Sequence, residues 1–327
     1  MSYFYKKSDT LENLVNKYFA AIEEYNKEKY NGSISIILLG SLSRGEGSFT
    51  ETENGIKLLS DIEYFTVVPD DFTDFEGYTD YCQIVEKEIF GFLETELFHI
   101  DNTFIKKSVL PRMEKKLITY DAKCMGKTVV GNDTVYLLPE INIRNINKRD
   151  IKDIVTHRVF YALNYGMSFK EKGDTEKYRY CLAKNSLDLM TVLLVSRGQL
   201  ASGFIRRFEI IKQLPIDQKI KNYFEYCLSV KLSTDCEYHF KVPEMEEIFL
   251  ILIKTLNKQF KVCIINDFIN IKHVMKRRAG ILKRMLKYGA VPSLKHTENL
   301  IKRFENKDFL TERDKLNNLI LNGYPLK

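Results

Sequence analysis

Apolar positions recur at Leu11, Leu14, Val15, Tyr18, Ile22 and Tyr25, one stripe of an amphipathic helix. Ser8 or Asp9 can cap it, and Asn31-Gly32 ends it. Ser33–Leu39 is a short β-branched run with glycine on both sides, which predicts a buried strand. Lys57–Pro69 reads as a second strand, stopped by Pro69-Asp70-Asp71. Between them lies a polar, glycine-rich stretch, which reads as a functional loop that opens a helix. Tyr81–Leu97 has helical periodicity through Ile84, Ile89, Phe92 and Leu93, and Phe98–Ile105 alternates like a third strand. Leu117–Leu138, with turns at Met125-Gly126-Lys127 and Gly131-Asn132, predicts a further strand pair.

After Ile141 the strand signals fade. Lys148–Tyr165, Glu176–Arg197, Ile216–Val230, Glu244–Asn266, Ile271–Tyr288 and Ser293–Phe304 read as helices, punctuated by Gly198, Pro215, Pro243, Gly289 and Pro292. The order of helices and strands suggests an α/β domain over residues 1–140, then an all-α bundle over 141–327.

Composition supports this division. At 327 residues the chain is long enough for about two domains, and 44% hydrophobic with 29% charged residues is a globular balance. The longest aliphatic runs, Ile248–Ile253 and Val192–Val195, are far short of the ~20 residues of a membrane helix. The opening MSYFYKKSDT lacks the apolar centre of a secretory signal, which predicts a cytoplasmic protein. Six cysteines (82, 124, 181, 227, 236 and 263) show no metal spacing and read as buried thiols. The net charge of +6 hides a split: residues 1–140 carry −9 and residues 141–327 carry +15. Such a split suits a cation site beside a polyanion site, or simply two differently biased surfaces.

The chemistry concentrates in the first half. Gly40-Ser41 directly follows the buried strand, where small residues let backbone amides approach a phosphate. Asp61-Ile62-Glu63 places two carboxylates on one face of the second strand. Asp101 interrupts an otherwise apolar strand, and a buried carboxylate must be paired or metal-bound. Three carboxylates beside a phosphate cradle suit two-metal phosphoryl transfer. Each feature also has a plain structural reading. Gly40-Ser41 can be an ordinary capped turn, Asp61 and Glu63 a strand start, and Asp101 a partner of a buried Lys or Arg. Asp121 is the other candidate for third carboxylate. His99 is read as facing the opposite side of the strand from Asp101, in a structural role.

Leu38-Leu39-Gly40-Ser41, Asp61-Ile62-Glu63 and Asp101 together resemble the DNA polymerase β-like nucleotidyltransferase superfamily. Its hydrophobic-Gly-Ser motif, its Asp-x-Asp/Glu pair and its later strand carboxylate find these matches over roughly residues 30–140. Arg44-Gly45-Glu46 is similar to the polar stretch after its Gly-Ser. One departure is the spacing of 19 residues between Ser41 and Asp61, read as an inserted loop at Gly47–Lys57.

The resemblance implies an α+β fold, a nucleotidyltransferase-like mixed sheet with flanking helices followed by an all-α helical bundle. It also implies a Mg²⁺-dependent transfer of NMP from an NTP to a hydroxyl or phosphate, with a small-molecule acceptor favoured. Asp61, Glu63 and Asp101 would ligate two ions, with Mn²⁺ as a possible substitute, and Asp101 would also orient or deprotonate the acceptor hydroxyl. Gly40, Ser41 and Arg44 would bind phosphates. Lys184, in the first long helix after the catalytic domain, would touch the triphosphate from a helical domain that closes over the substrates. Protein nucleotidylation and oligonucleotide synthesis use the same core, and an inactive nucleotide- or nucleic-acid-binding protein of this fold is the other class. For the latter, the basic stretch Lys272–Lys287 is the feature to weigh, against its reading as a solvated helix face.

Overall fold

A computed structural model of the chain describes residues 2–53, 55–93, 98–162, 169–170 and 172–260. The helices expected over Ile271–Tyr288 and Ser293–Phe304, the basic stretch Lys272–Lys287 and Cys263 lie outside the described residues. The chain divides into two compact units. The first joins Met1–Asn147, Gly198–Pro215 and Leu228–Glu237; the second holds Lys148–Arg197, Ile216–Cys227 and the chain from Tyr238 onward. The fold is α+β.

The first unit is built on a four-stranded mixed sheet in the order β5-β4-β1-β6. These strands are β1 (Ser35–Leu38), β4 (Ile62–Val68), β5 (Ile100–Lys106) and β6 (Lys127–Val130). β4 and β5 are parallel, and the other two pairings are antiparallel. Helix α1 (Asp9–Tyr30) begins at Ser8, whose side chain accepts the Leu11 N–H, as the sequence predicts. The Asn26 amide then donates to Ile34 O at 2.8 Å and accepts from Ile34 N at 3.1 Å, fixing the chain's entry into β1.

All four β1 residues are buried because the sheet is covered on both faces. Ile36, Leu38, Ile62 and Tyr64 pack with α1 and with α3 (Phe75–Phe90). Ile37, Leu39, Phe65, Val67 and Ile105 form the opposite core with Leu110, Ala122 and Leu138. Glu63 and Asp101 stand at one end of this second face, in register as strand partners.

Three expectations are corrected. Lys57–Pro69 is two strands: β3 (Gly55–Leu58) pairs with β2 (Phe49–Thr52) as a separate hairpin, and β4 starts at Ile62. The break is held by Leu59 N–H on Ser48 O at 3.0 Å and Ser48 N–H on Ser60 Oγ at 2.9 Å. Most of the expected inserted loop is therefore ordered hairpin. Leu117–Leu138 begins as helix α4 (Leu117–Met125), and only β6 in that stretch is a strand. Burial of one face of α4, through Thr119 and Ala122, outweighs the β-branched composition. Helix α3 starts six residues before Tyr81 because Asp74 caps it, accepting the Gly77 N–H at 3.1 Å.

The described secondary structure of the second unit is helical: α5 (Lys148–Tyr161), α6 (Thr175–Ser196), the first ten residues of α8 (Gln218–Leu232) and α9 (Val242–Phe260). Helix α6 is its centre, buried on nearly every side from Tyr178 to Leu194. Several polar groups of this unit are paired. Tyr223 OH and Ser186 Oγ lie 2.7 Å apart, and Glu246 Oε1 accepts from Tyr178 OH and Lys170 Nζ, each at 2.6 Å. Tyr178 and Tyr180 are core residues. Helix α7 (Phe204–Gln213), which the sequence reading lacks, belongs to the first unit. Cys82, Cys181 and Cys227 are buried as expected, whereas Cys124 is exposed and Cys236 partly so.

Candidate active site

The site forms where the C-terminal end of β1 meets the N-terminal ends of β4 and β5. Antiparallel pairing places Leu38 opposite Tyr64, and the Leu39 N–H donates to Glu63 O at 2.7 Å. The next residue, Gly40, has φ +64 and opens the single turn α2 (Gly40–Ser43). A Cβ on Gly40 would overlap Glu63 Oε2. Glycine is required here twice, by its backbone angle and by the carboxylate lying against it.

The loop beyond is closed on Ser41, whose carbonyl accepts the Arg44 N–H at 3.2 Å and the Glu46 N–H at 2.8 Å. Glu46 is buried. Its carboxylate accepts Arg44 Nε at 3.0 Å and the Phe204 and Ile205 amides at the start of α7, both at 3.0 Å. Burial alone would raise the Glu46 carboxyl, but Arg44 and the two amides outweigh it and hold it below the usual glutamate range. Arg44 is therefore engaged beneath the loop, with its guanidinium over the Phe204 ring. Its Nε is the atom that meets Glu46.

The three carboxylates occupy neighbouring positions. Asp61 precedes β4 and is only 7% exposed, Glu63 is half-buried in β4, and Asp101 is Glu63's register partner on β5. His99 is brought in with them, against the expectation that it faces away. Residues two apart on extended chain share a face, which places His99 with Asp101. Its Nδ1 lies 3.1 Å from Asp61 Oδ1 and its Nε2 lies 2.9 Å from Asp101 Oδ2. On α3, burial raises the Glu86 carboxyl, and His99's charge pulls it partly back, so a fourth carboxylate senses the same ring.

Asp121, the other candidate for third carboxylate, is elsewhere. It sits on α4 and accepts both oxygens' bonds from Arg207 Nη2, at 2.6 and 2.7 Å, with Ser202 Oγ at 3.1 Å. This buried fork fastens α7 and the loop before it to α4. Lys184 stands half-buried on α6 in the second unit and is not among the residues the first unit gathers.

One residue of the site escaped the sequence reading. Lys231, in the last turn of α8, is 2% exposed and donates from Nζ to Ser60 Oγ at 2.7 Å and Ser48 Oγ at 3.0 Å. It is thus anchored one residue from Asp61. Its signal was present: Lys231 follows Phe224 and Cys227 on the apolar stripe of a helix, where a lysine is out of place.

The donor set suits a hard divalent cation, since all three carboxylates offer oxygen. Among the described residues no group of three or more His, Cys, Asp and Glu side chains is already arranged around one point. His99 stands between Asp61 and Asp101 in this arrangement. Asp61 and Glu63 are the residues that would hold the ion first, with Asp101 joining once the ring turns aside.

No protein-family model matches the chain, and no curated protein matches it. Among solved structures it is similar to spectinomycin adenyltransferase AAD(9) from Enterococcus faecialis, crystallised with ATP and spectinomycin. The TM-score is 0.45 and the identity 17%, over 76% of this chain and 98% of that one. The likeness is slight, and the reading of the site rests on its own residues. No helix among the described residues is long and apolar enough to cross a membrane.

Proposed function

We propose that the chain is a nucleotidyltransferase that moves NMP from an NTP to a hydroxyl or phosphate acceptor, a small molecule by preference, in the cytoplasm. The observation that carries the reading is the junction of Gly40 and Glu63: a phosphate-approachable glycine turn lies directly against a carboxylate whose neighbours are Asp61 and Asp101. Few structural needs bring a positive-φ glycine and three carboxylates to one strand end, whereas charge neutralisation around a triphosphate needs both.

In this reading the amides at Gly40-Ser41 and the Ser41 hydroxyl bind phosphate oxygens. Asp61 and Glu63 hold Mg²⁺, which when bound offsets the charge developing on the phosphates. Asp101, the most exposed of the three, accepts the proton of the acceptor hydroxyl or orients it. Lys231 supplies a fixed cation behind Ser60, and Lys184 remains a proposed further phosphate contact. Arg44 and Glu46 act on the loop, not on the nucleotide.

The test is transfer of label from α-labelled NTPs in the presence of Mg²⁺ and a cell extract. Wild-type protein should label an acceptor, and the Asp61→Ala/Glu63→Ala double variant should not. Equal labelling by both would reject the assignment.

A further inference from the structure

His99 lies between the two outer carboxylates of the site: its Nε2 shares a hydrogen bond with Asp101 Oδ2 at 2.9 Å, and its Nδ1 stands within ion-pair distance of Asp61 Oδ1, at 3.1 Å. The backbone beneath the ring is fixed, since the His99 carbonyl accepts the Ile62 N–H at 3.2 Å. The side chains above it have room. His99 is 57% exposed and Asp101 59%, so both can turn without disturbing the core, while Asp61 is enclosed. A hydrogen bond to a carboxylate, such as the ring makes with Asp101, is among the stronger ones a side chain makes.

We infer that His99 sets the cation affinity of the site by competing for Asp61 and Asp101. The inference rests on the reading of Asp61, Glu63 and Asp101 as cation ligands. A cation that takes oxygens from both aspartates must first break the ring's hydrogen bond to Asp101 and displace the ring from Asp61. The affinity of the carboxylates for the ion is lowered by that amount, and the ring returns to them when the ion leaves.

The sign of a substitution separates this role from its rivals. A residue that merely holds the aspartates in place would, when removed, loosen them and weaken cation binding. A residue that ligates the ion would also weaken binding when removed. A competitor alone strengthens it. The experiment is titration of the full chain with Mn²⁺, read from the electron paramagnetic resonance signal of the free ion. Wild type, His99→Ala, His99→Ser and the Asp61→Ala/Glu63→Ala double variant are compared, with circular dichroism checking that each is folded.

Both His99 variants should bind Mn²⁺ about tenfold more tightly than wild type, the loss of roughly one charge-assisted hydrogen bond to the ion's rival. The double variant should lose the site. Unchanged or weaker binding in the His99 variants overturns the inference while leaving the cation ligands standing. Absence of Mn²⁺ binding in wild type and both His99 variants overturns the ligand reading itself, and the inference with it.

Discussion

Replacing Gly40 with alanine perturbs one place in two separable ways. The backbone angle of φ +64 disfavours any side chain, by about 1–2 kcal/mol. The new methyl also overlaps Glu63 Oε2 and comes to 3.0 Å from Cδ and 3.5 Å from Cβ of that side chain. The atom in the way is the far end of a flexible side chain, so Glu63 can shift aside and the fold survives. Stability should therefore fall by about 1–2 kcal/mol, the backbone contribution alone. Activity should fall about a hundredfold or more, because a reacting-site group displaced by an ångström loses that much. Gly32 supplies the control: its φ is +68, and a Cβ there would meet nothing within 4 Å. Gly32→Ala should lose similar stability and keep its activity. Urea unfolding and label transfer from α-labelled NTP measure the two quantities. If Gly40→Ala transfers label within twofold of wild type, the contact between the turn and Glu63 has no catalytic meaning and the reasoning is refuted.

Other consequences follow from the same geometry. Lys231→Met should raise the KM for NTP about tenfold or more by removing the fixed cation behind Ser60. It should leave urea stability unchanged or higher, since a buried charge is replaced by an apolar chain; loss of stability with unchanged KM would make Lys231 purely structural. Asp121→Ala leaves the buried Arg207 guanidinium without its fork and should destabilise the protein by about 3 kcal/mol in urea unfolding; a change below 1 kcal/mol would contradict the fork's role. Glu46 has a folded-state pKa below its unfolded value, so its stabilisation is present above the ordinary value of 4.5 and is lost as pH falls beneath it. Glu46→Gln should flatten that acid limb of the stability–pH curve, and an unaltered limb would remove Glu46 as its source.

The parts of this structure legible in the sequence are those set by local rules. Helix α1 could be read from its stripe and its Ser8 cap, and β1 from a β-branched run between glycines, because each signal lies within the element itself. Gly40-Ser41 and Asp61-Ile62-Glu63 were legible as a turn after one strand and carboxylates at the start of the next, and the structure sets Gly40 against Glu63. What was hidden depends on partners distant in sequence. Alternation marks Lys57–Pro69 as extended but cannot say that its first half pairs with Phe49–Thr52 and its second with β1. Helix α7 owes its place to Glu46 and Asp121, more than eighty residues away from the groups they bind. The engagement of Arg44 with Phe204 was hidden in the same way, since Phe204 is 160 residues along the chain. His99 is a different case: its two-residue offset from Asp101 already put both on one face, and the strand's periodicity was misapplied.

The central claim is that phosphates meet the Gly40-Ser41 turn while a divalent ion meets Asp61 and Glu63. A crystal structure of the full chain with a non-hydrolysable NTP analogue and Mg²⁺ tests it most directly. The account predicts phosphate oxygens on the Gly40-Ser41 amides and an ion bound by Asp61 and Glu63 oxygens, with the His99 ring turned away from Asp61. A nucleotide bound elsewhere, or phosphates at the turn with His99 still between the aspartates and no ion on Asp61 or Glu63, would contradict it.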